Sequence, residues 1–356
     1  MATRDEPVMN HQTRFAHLSL ALSVALLGPH LLASQTNPRL VPLQRFGWDD
    51  LAGPDGRATP AQRRLDGGML SQVMDLAEGP DGTLYVLDRG GFKVVVFDAK
   101  GAVKRIIGNG KGQGPGEFTR PNSLALSDAG ELFVLDAGQS RVTVFDTSGK
   151  LNRTFPIASP LVSQIRAGGN RLFVSRYIFR GGAPIILVYD ANGTLVDKVF
   201  PPSEEDVSFG RTGNAYRMAR MRDGRIAVGH LNPGTWSFVD DPTRLFGRPL
   251  VDKNEVRQSS GSTAWSAPGS LRGLGELKDG RALILFDLQK PETMNTPEHP
   301  AWNIFLGIVG PDGTRKEVLD IGEVGRNFLV SRDGSSFYLT VAEPSYQVVR
   351  YRLAPR

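Results

Sequence analysis

Five polar side chains recur at one phase of this sequence. Asp75, Ser123, Arg217 and Asn327 each stand seven residues before a turn glycine, and Gln164 stands six before Asn170. Gly273 holds the sixth equivalent position. Side chains in phase across repeats converge, so this layer is expected to line a central channel or its mouth, where such folds bind ligands. Asp75, Gln164 and Asn327 offer oxygens of the kind a hard cation such as Ca2+ requires. Arg217 opposes that chemistry, because a guanidinium beside a cation weakens its binding. With Tyr216 and the nearby Arg211, Arg220, Arg222 and Arg225, it instead supplies forked donors for a carboxylate or a phosphate. Strand alternation sends these arginines to two faces, so only some of them can converge. The plain alternative is a polar layer that bonds only to itself and to trapped water.

Catalytic constellations are sparse. Past residue 34 the sequence has two histidines, His230 and His299, too few for a three-histidine zinc site. No Gly-x-Ser-x-Gly occurs, and two histidines leave a triad little choice of base. The expectation is therefore a binding site without catalysis; the alternative is a hydrolase that uses a divalent metal on Asp75 and Asn327.

The elements that must position this layer are repeats. Gly82-Thr-Leu-Tyr-Val-Leu-Asp88 returns as Gly130-Glu-Leu-Phe-Val-Leu-Asp136, and Val96-Phe97-Asp98 returns as Val144-Phe145-Asp146, both after 48 residues. Apolar residues alternate with period two inside each copy, the pattern of small antiparallel sheets stacked around an axis. Tight turns at Asp81-Gly82, Ala129-Gly130, Gly169-Asn170, Asp223-Gly224, Asp279-Gly280 and Asp333-Gly334 mark six copies. Second turns at Lys100-Gly101, Ser148-Gly149, Asn192-Gly193 and Asp312-Gly313 give four strands per copy. The fourth copy has Asp240-Asp241-Pro242-Thr243 in that place, without a glycine. The fold class is thus all-β: a six-bladed β-propeller of four-stranded antiparallel blades. The last copy runs one strand short, and Arg39–Phe46, apolar and of strand length, is expected to complete it and close the ring.

Gly108-Asn-Gly-Lys-Gly-Gln-Gly-Pro-Gly-Glu-Phe118, then Pro121–Leu126, Leu132–Asp136 and Arg141–Asp146, resemble an NHL repeat, and the first copy is similar through Asp88 and Lys93–Asp98. The resemblance covers roughly residues 69–155 and fades beyond them. It implies a six-bladed propeller of the type common among exported bacterial proteins. It implies no single activity, since propellers of this type serve as protein- or RNA-binding scaffolds and sometimes as enzymes, among them calcium-dependent lactonases and a zinc-holding lyase. The glycine ladder is then an inter-blade loop; its spacing, without a closing Gly-Lys-Ser/Thr, does not suit a phosphate loop. The pairs Asp88/Lys93 and Asp136/Arg141 are expected to brace the turn between second and third strands, and His230 reads as a structural histidine. Trp236, Trp265 and Trp302 lie in the irregular second half, Trp265 and Trp302 either as contacts for a partner or sugar or as core.

Ahead of the repeats, Arg14, the apolar run Phe15–Leu27, Gly28-Pro29 and Ala33-Ser34 have the form of a secretory signal peptide over residues 1–34, with Met9 a cleaner start than Met1. The run is shorter than the roughly 20 residues a membrane span needs. A single propeller domain is expected over 35–356, secreted or periplasmic and monomeric. The sequence has no cysteine, which excludes disulfides. Residues 1–34 carry two basic and two acidic groups, so 42 Lys+Arg against 37 Asp+Glu becomes 40 against 35 beyond them. A dispersed +5 does not suit nucleic acid. The expected partner is a protein or an anionic small ligand.

Overall fold

The computed structural model describes residues 39–47, 69–159, 161–177, 185–201, 216–230, 234–247, 250, 271–289, 302–311, 316–322, 327–341 and 346–355. The leader-like residues, Arg211, Trp265, His299 and the Asp312-Gly313 turn lie outside them.

Six four-stranded antiparallel sheets form the blades of a β-propeller. Blade 1 comprises β2 (Val73–Glu78), β3 (Leu84–Asp88), β4 (Lys93–Phe97) and β5 (Val103–Ile107). Blade 2 comprises β6 (Pro121–Leu126), β7 (Leu132–Asp136), β8 (Arg141–Phe145) and β9 (Leu151–Pro156), and blade 3 β10 (Val162–Gly168), β11 (Arg171–Arg176), β12 (Ile186–Asp190) and β13 (Leu195–Val199). Blade 4 holds β14 (Arg217–Arg220), β15 (Ile226–Gly229), β16 (Thr235–Phe238) and β17 (Asp241–Gly247); blade 5 holds β18 (Leu271–Glu276), β19 (Ala282–Gln289), β20 (Trp302–Val309) and β21 (Lys316–Gly322). Blade 6 joins β22 (Phe328–Val330), β23 (Phe337–Val341) and β24 (Gln347–Leu353) to β1 (Leu40–Phe46). The first strands of successive blades touch in a closed ring, β2 to β6, β10, β14, β18, β22 and back to β2.

Closure follows the expectation. Strand β1 pairs antiparallel with β24 from Leu40↔Leu353 to Phe46↔Val348, so the two ends of the propeller share one sheet. Phe46 is 1% exposed and meets Phe97 of blade 1 edge-on at 5.8 Å and Tyr338 of blade 6 at 5.8 Å. A strand from one end of the chain thereby holds the first and last blades together.

Alternation explains the core. Successive side chains of a strand point to opposite faces, and each face of a blade meets a neighbour, so both faces must be apolar. Strand β3 accordingly reads buried throughout: Leu84 and Val86 pack toward blade 6, Tyr85 and Leu87 toward blade 2. Six apolar clusters result, one in each gap between blades. Outer strands such as β5 alternate between exposed and covered positions.

The turns carry their own polar support. Asp98, Asp146 and Asp190 each accept the amides two and four residues on, at 2.8–3.0 Å, which fixes the outer hairpins. In blade 4 the outer turn comes earlier than its sequence suggests. Phe238 pairs with Asp241, so Val239-Asp240 make the turn and Pro242 sits within the outermost strand, where its missing amide hydrogen costs no ladder bond.

The recurring acids meet expectation in part: Asp136 braces the turn after its strand through Gly138 and Gln139, by hydrogen bonds and not by an ion pair. Asp136 makes no ion pair with Arg141; its carboxylate accepts the Thr119 amide at 2.7 Å, the Arg120 and Gly138 amides at 2.9 Å and Gln139 Nε2 at 2.9 Å. Arg141 donates to the carbonyls of Gln113, Gly114 and Glu117. Asp88 likewise accepts the Ser71 and Gln72 amides, at 3.1 and 2.7 Å. Each acid therefore braces the chain entering its blade, because a buried carboxylate needs several donors and the incoming backbone supplies them. The glycine ladder is an inter-blade loop as expected: Asn109 N donates to Gly116 O at 2.8 Å, and Phe118 N donates to Gly110 O at 2.9 Å.

Candidate functional site

Inner strands pose a problem that fixes the chemistry of the channel. Each has a partner on one side only, so every second residue turns an unpaired amide and carbonyl toward the axis. Those groups need partners once water is excluded. In blades 1, 2, 3 and 5 the ladder skips one residue (Met74, Asn122, Ser163, Arg272) just ahead of the polar layer. These bulges re-aim the residue that follows.

The layer residues stitch one blade to the next. Asp75 Oδ2 accepts the Leu124 amide at 3.2 Å, Ser123 Oγ accepts the Ile165 amide at 3.1 Å, and Gln164 Oε1 accepts the Met218 amide at 2.6 Å. Asn327 Nδ2 donates to Val73 O at 2.7 Å. Arg217 Nε donates to Leu271 O at 3.3 Å. Gly273 contributes no side chain, since a Cβ there would lie 2.7 Å from Phe328 Cδ1. All six residues line one cavity of 260 Å3 at the centre of the ring. The structure thus brings the predicted layer together, and much of its polarity serves the inner-strand edges.

Asp75 is the hub of one half of this cavity. Arg166 Nη1 and Nη2 meet its two oxygens at 2.8 and 3.1 Å, Ser123 Oγ donates to Oδ2, and Leu76 N donates to Oδ1 at 3.0 Å. Arg166 also donates to Ile165 O at 2.7 Å, Leu124 O at 3.3 Å and Met218 O at 3.1 Å. One guanidinium therefore reaches from blade 3 to blades 1, 2 and 4 and fills that side of the channel. With five donors on two oxygens, the Asp75 carboxylate has no lone pair to offer a cation. Of the three oxygens offered for a calcium ion, those of Asp75 and Gln164 are engaged within the protein, while Asn327 donates through Nδ2 and keeps its Oδ1. Among the described residues no cluster of three histidine, aspartate or glutamate side chains has metal-binding geometry.

The other half is cationic. Arg272 donates through Nε, at 2.7 Å, and through Nη2 to Asp287, a carboxylate 2% exposed. Arg217 has no carboxylate within ion-pair distance among the described residues, and its one hydrogen bond goes to Leu271 O. Burial, and after it the positive Arg272 alongside, pull the Arg217 guanidinium below its ordinary pKa; Asp75 acts weakly in the opposite direction. A side chain of this kind stays protonated and seeks an anion.

Tyr216 corrects the expectation. It is 0% exposed and packs against Phe200 at 5.6 Å and His230 at 5.9 Å, in the gap between blades 3 and 4. It stands one residue before the layer, so alternation turns it away from the cavity. His230 is held there, with Nε2 2.9 Å from Ser237 Oγ, which agrees with a structural role. The other arginines disperse as well: Arg225 pairs with Asp223 and lies 3.6 Å over the Phe238 ring, and Arg222 Nη1 donates to Lys278 O at 3.1 Å. Arg220 sits at the far mouth, where Asp128 accepts it at 2.8 Å and Arg332 at 2.7 Å, so that one carboxylate ties blades 2, 4 and 6 across the opening. Trp236 is buried and stacks on Phe246 at 6.3 Å.

Sequence reasoning missed Arg166 and Arg272. Arg166 left a signal: it stands two residues beyond Gln164, where the other copies have Ala77, Ala125, Ala219, Gly275 and Leu329. Arg272 left none, because its partner Asp287 lies on a different strand.

Comparison with known proteins supports the fold. A family model of 6-bladed β-propellers matches residues 69–174. No curated protein sequence matches the chain. Among solved structures, a member of the DUF4221 family from Bacteroides vulgatus superposes with a TM-score of 0.59 at 12% identity, covering 88% of this chain and 97% of its own. A Bacteroides fragilis protein classed as exported superposes with a TM-score of 0.57 at 11% identity, covering 89% and 95%. A catalytically inactive virginiamycin B lyase from Staphylococcus aureus, solved with quinupristin, gives 0.50 at 13% identity over 90% and 98%. At such identities the likeness is one of fold. No helix among the described residues is long and apolar enough to cross a membrane.

Proposed function

We propose that this propeller is an exported, NHL-type binding module that takes up an anionic small ligand in its central channel without catalysis. The observation that carries this reading is Arg217: a half-buried guanidinium facing a cavity of about 260 Å3, with no carboxylate partner among the described residues, while its neighbours Arg166 and Arg272 each have one. A partly buried cation without a counter-charge is unfavourable, and an incoming anion relieves that cost. Export rests on the leader-like residues 1–34, and the NHL assignment on the Gly108–Phe118 loop with its neighbouring strands. The metal-hydrolase alternative loses support because the Asp75 carboxylate is taken up by Arg166, Ser123 and two amides.

Thermal unfolding of residues 35–356 tests this with Ca2+, with EDTA and with a panel of organic and sugar acids at constant ionic strength. A ligand at 100 times its Kd stabilises by about 2.7 kcal/mol. For a domain of this size that corresponds to roughly 4 °C. The expected result is a saturable rise with an acid, absent from Arg217→Met, and no response to EDTA. A calcium-dependent rise reversed by EDTA overturns the proposal in favour of the metal enzyme. Silence throughout overturns it in favour of a scaffold for a protein partner.

A further inference from the structure

The channel-facing amides are not treated alike. The bonds Leu277 N to Arg281 O and Ser331 N to Ser336 O, followed along the registers of β18 with β19 and β22 with β23, turn the amides of Leu274 and Phe328 toward the axis. Their counterparts in blades 1 to 4 are the amides of Leu76, Leu124, Ile165 and Met218, which donate to Asp75, Asp75, Ser123 and Gln164. No protein acceptor meets Leu274 N or Phe328 N among the described residues. The reason lies in the layer itself. The residue that should serve Leu274 is Arg217, which can only donate, and the residue that should serve Phe328 is Gly273, which has no side chain. Phe328 maintains the second gap, since its own ring occupies the place of a Cβ at Gly273.

Two neighbouring amides and the Arg217 guanidinium thus face the same side of the cavity, opposite the half filled by Arg166. Charge narrows what fits there. Around the cavity Arg166 is balanced by Asp75 and Arg272 by Asp287, while at the far mouth Arg220 and Arg332 share Asp128 and the main-chain amides of Arg222 and Arg332 donate to Glu276 and Glu78. Among the described residues, Arg166, Arg217, Arg220, Arg222, Arg272 and Arg332 thus stand against Asp75, Glu78, Asp128, Glu276 and Asp287, an excess of one positive charge, and within the channel none of these carboxylates reaches Arg217. Building on the anion-binding reading of this channel, we infer that its ligand is a monocarboxylate whose carboxylate group is held by the main-chain amides of Leu274 and Phe328 together with the Arg217 guanidinium. A carboxylate has two coplanar oxygens for donors on adjacent blade edges and carries the single negative charge the cavity lacks; a phosphate dianion overfills it. The Asp128 strap spans the far opening, so the ligand enters by the mouth at which the inner strands begin.

The test uses residues 35–356 labelled with 15N at leucine and phenylalanine, titrated with sodium acetate and sodium benzoate and, separately, with inorganic phosphate. Leu274 is assigned by Leu274→Ile and Phe328 by Phe328→Leu. The expected result is a saturable downfield movement of the Leu274 and Phe328 amide protons with a carboxylate, Leu76 and Leu124 remaining fixed, and a weaker response to phosphate at pH 8. A second variant keeps the inference falsifiable against simple misfolding. Arg217→Gln places an acceptor where Gln164 already serves Met218, so it is expected to melt no lower than the parent and to lose the carboxylate response. Thermal stabilisation by an acid that requires Arg217 while both amides stay still overturns this inference and leaves the anion site standing. Absence of any thermal response to carboxylates, with the amides equally still, overturns both. Tighter binding of phosphate than of any carboxylate overturns the charge argument and with it the assignment of the ligand class.

Discussion

Removing Asp75 is the most direct challenge to the channel's construction. Its side chain is about nine-tenths buried, it receives both outer nitrogens of Arg166, and it takes further donors from Ser123, Leu76 and Leu124. Asp75→Leu leaves the Arg166 guanidinium enclosed without its counter-charge, a change that typically costs about 3–5 kcal/mol when one partner of a buried pair is deleted. For a domain of some 300 residues this corresponds to a loss of roughly 5–8 °C in melting temperature. The reverse deletion, Arg166→Met, leaves a carboxylate that still accepts from one hydroxyl and two amides, so its cost is smaller, about 1–3 kcal/mol. The double variant removes both charges and is expected to melt above Asp75→Leu alone, with a coupling energy of at least about 1 kcal/mol in the cycle. Calorimetric or fluorescence-detected unfolding of the four proteins measures it. A double variant no more stable than Asp75→Leu would refute the reasoning, because the acid would then matter through the inner-strand amides and not through Arg166.

Three further outcomes follow from the geometry. Phe46→Ala removes a ring 1% exposed between blades 1 and 6 and is expected to cost about 3–5 kcal/mol, and deletion of residues 39–48 more than that; unfolding curves that coincide with the parent's would show that β1 does not close the ring. Gly273→Ala forces a Cβ to within 2.7 Å of Phe328 Cδ1 and 2.8 Å of its Cβ, an overpacking expected to cost about 1–3 kcal/mol and relieved by Phe328→Leu, as a double-variant melt would report. Burial pushes the Asp333 carboxyl up, but hydrogen bonds from Ser331 and Ser335 outweigh it and hold the group at about 2. Its contribution is therefore complete above pH 4 and lost as pH falls toward 2, and Asp333→Asn should flatten that part of the stability profile by up to about 1 kcal/mol, given the exposure of the side chain.

The fold was legible because a propeller repeats its punctuation. Turn glycines at 82, 130, 224, 280 and 334, together with Asn170, locate the inner hairpin of every blade, and counting back from them finds the one layer that faces the axis. The shortage of a strand in the last copy pointed to Arg39–Phe46 for the same reason: a ring leaves no edge unpaired, and strand β1 fills the edge. Contacts between blades were less legible. Whether Asp136 would meet Arg141 or the amides of Thr119 and Arg120 depends on the path of a loop, which spacing does not encode. Nor does the run of arginines from 217 to 225 reveal that Arg217 sits in the channel while Arg220 and Arg222 are drawn to its far mouth and Arg225 away from it, since their partners, Asp128, Lys278 O and the Phe238 ring, belong to different strands.

Departures from repetition mark the part of the channel open to a ligand. Where the pattern holds, in blades 1 to 3, each layer residue is an acceptor that closes off the next inner strand's amide, and Arg166 packs the space that remains. Where it breaks, a donor and a glycine replace acceptors, and two amides lose their partners. A ring built only to satisfy itself would be served better by glutamine at 217, since Gln164 shows that this side chain reaches the neighbouring amide at 2.6 Å. A half-buried arginine there costs stability that the fold has no need to spend on its own account, because the strand edge it leaves unserved and the charge it introduces are both unfavourable. A bound carboxylate reverses both terms at once, accepting from the amides and neutralising the guanidinium. The stability of Arg217→Gln without any ligand is therefore informative in itself: a variant that melts above the parent would show that arginine at 217 serves binding at the expense of the fold.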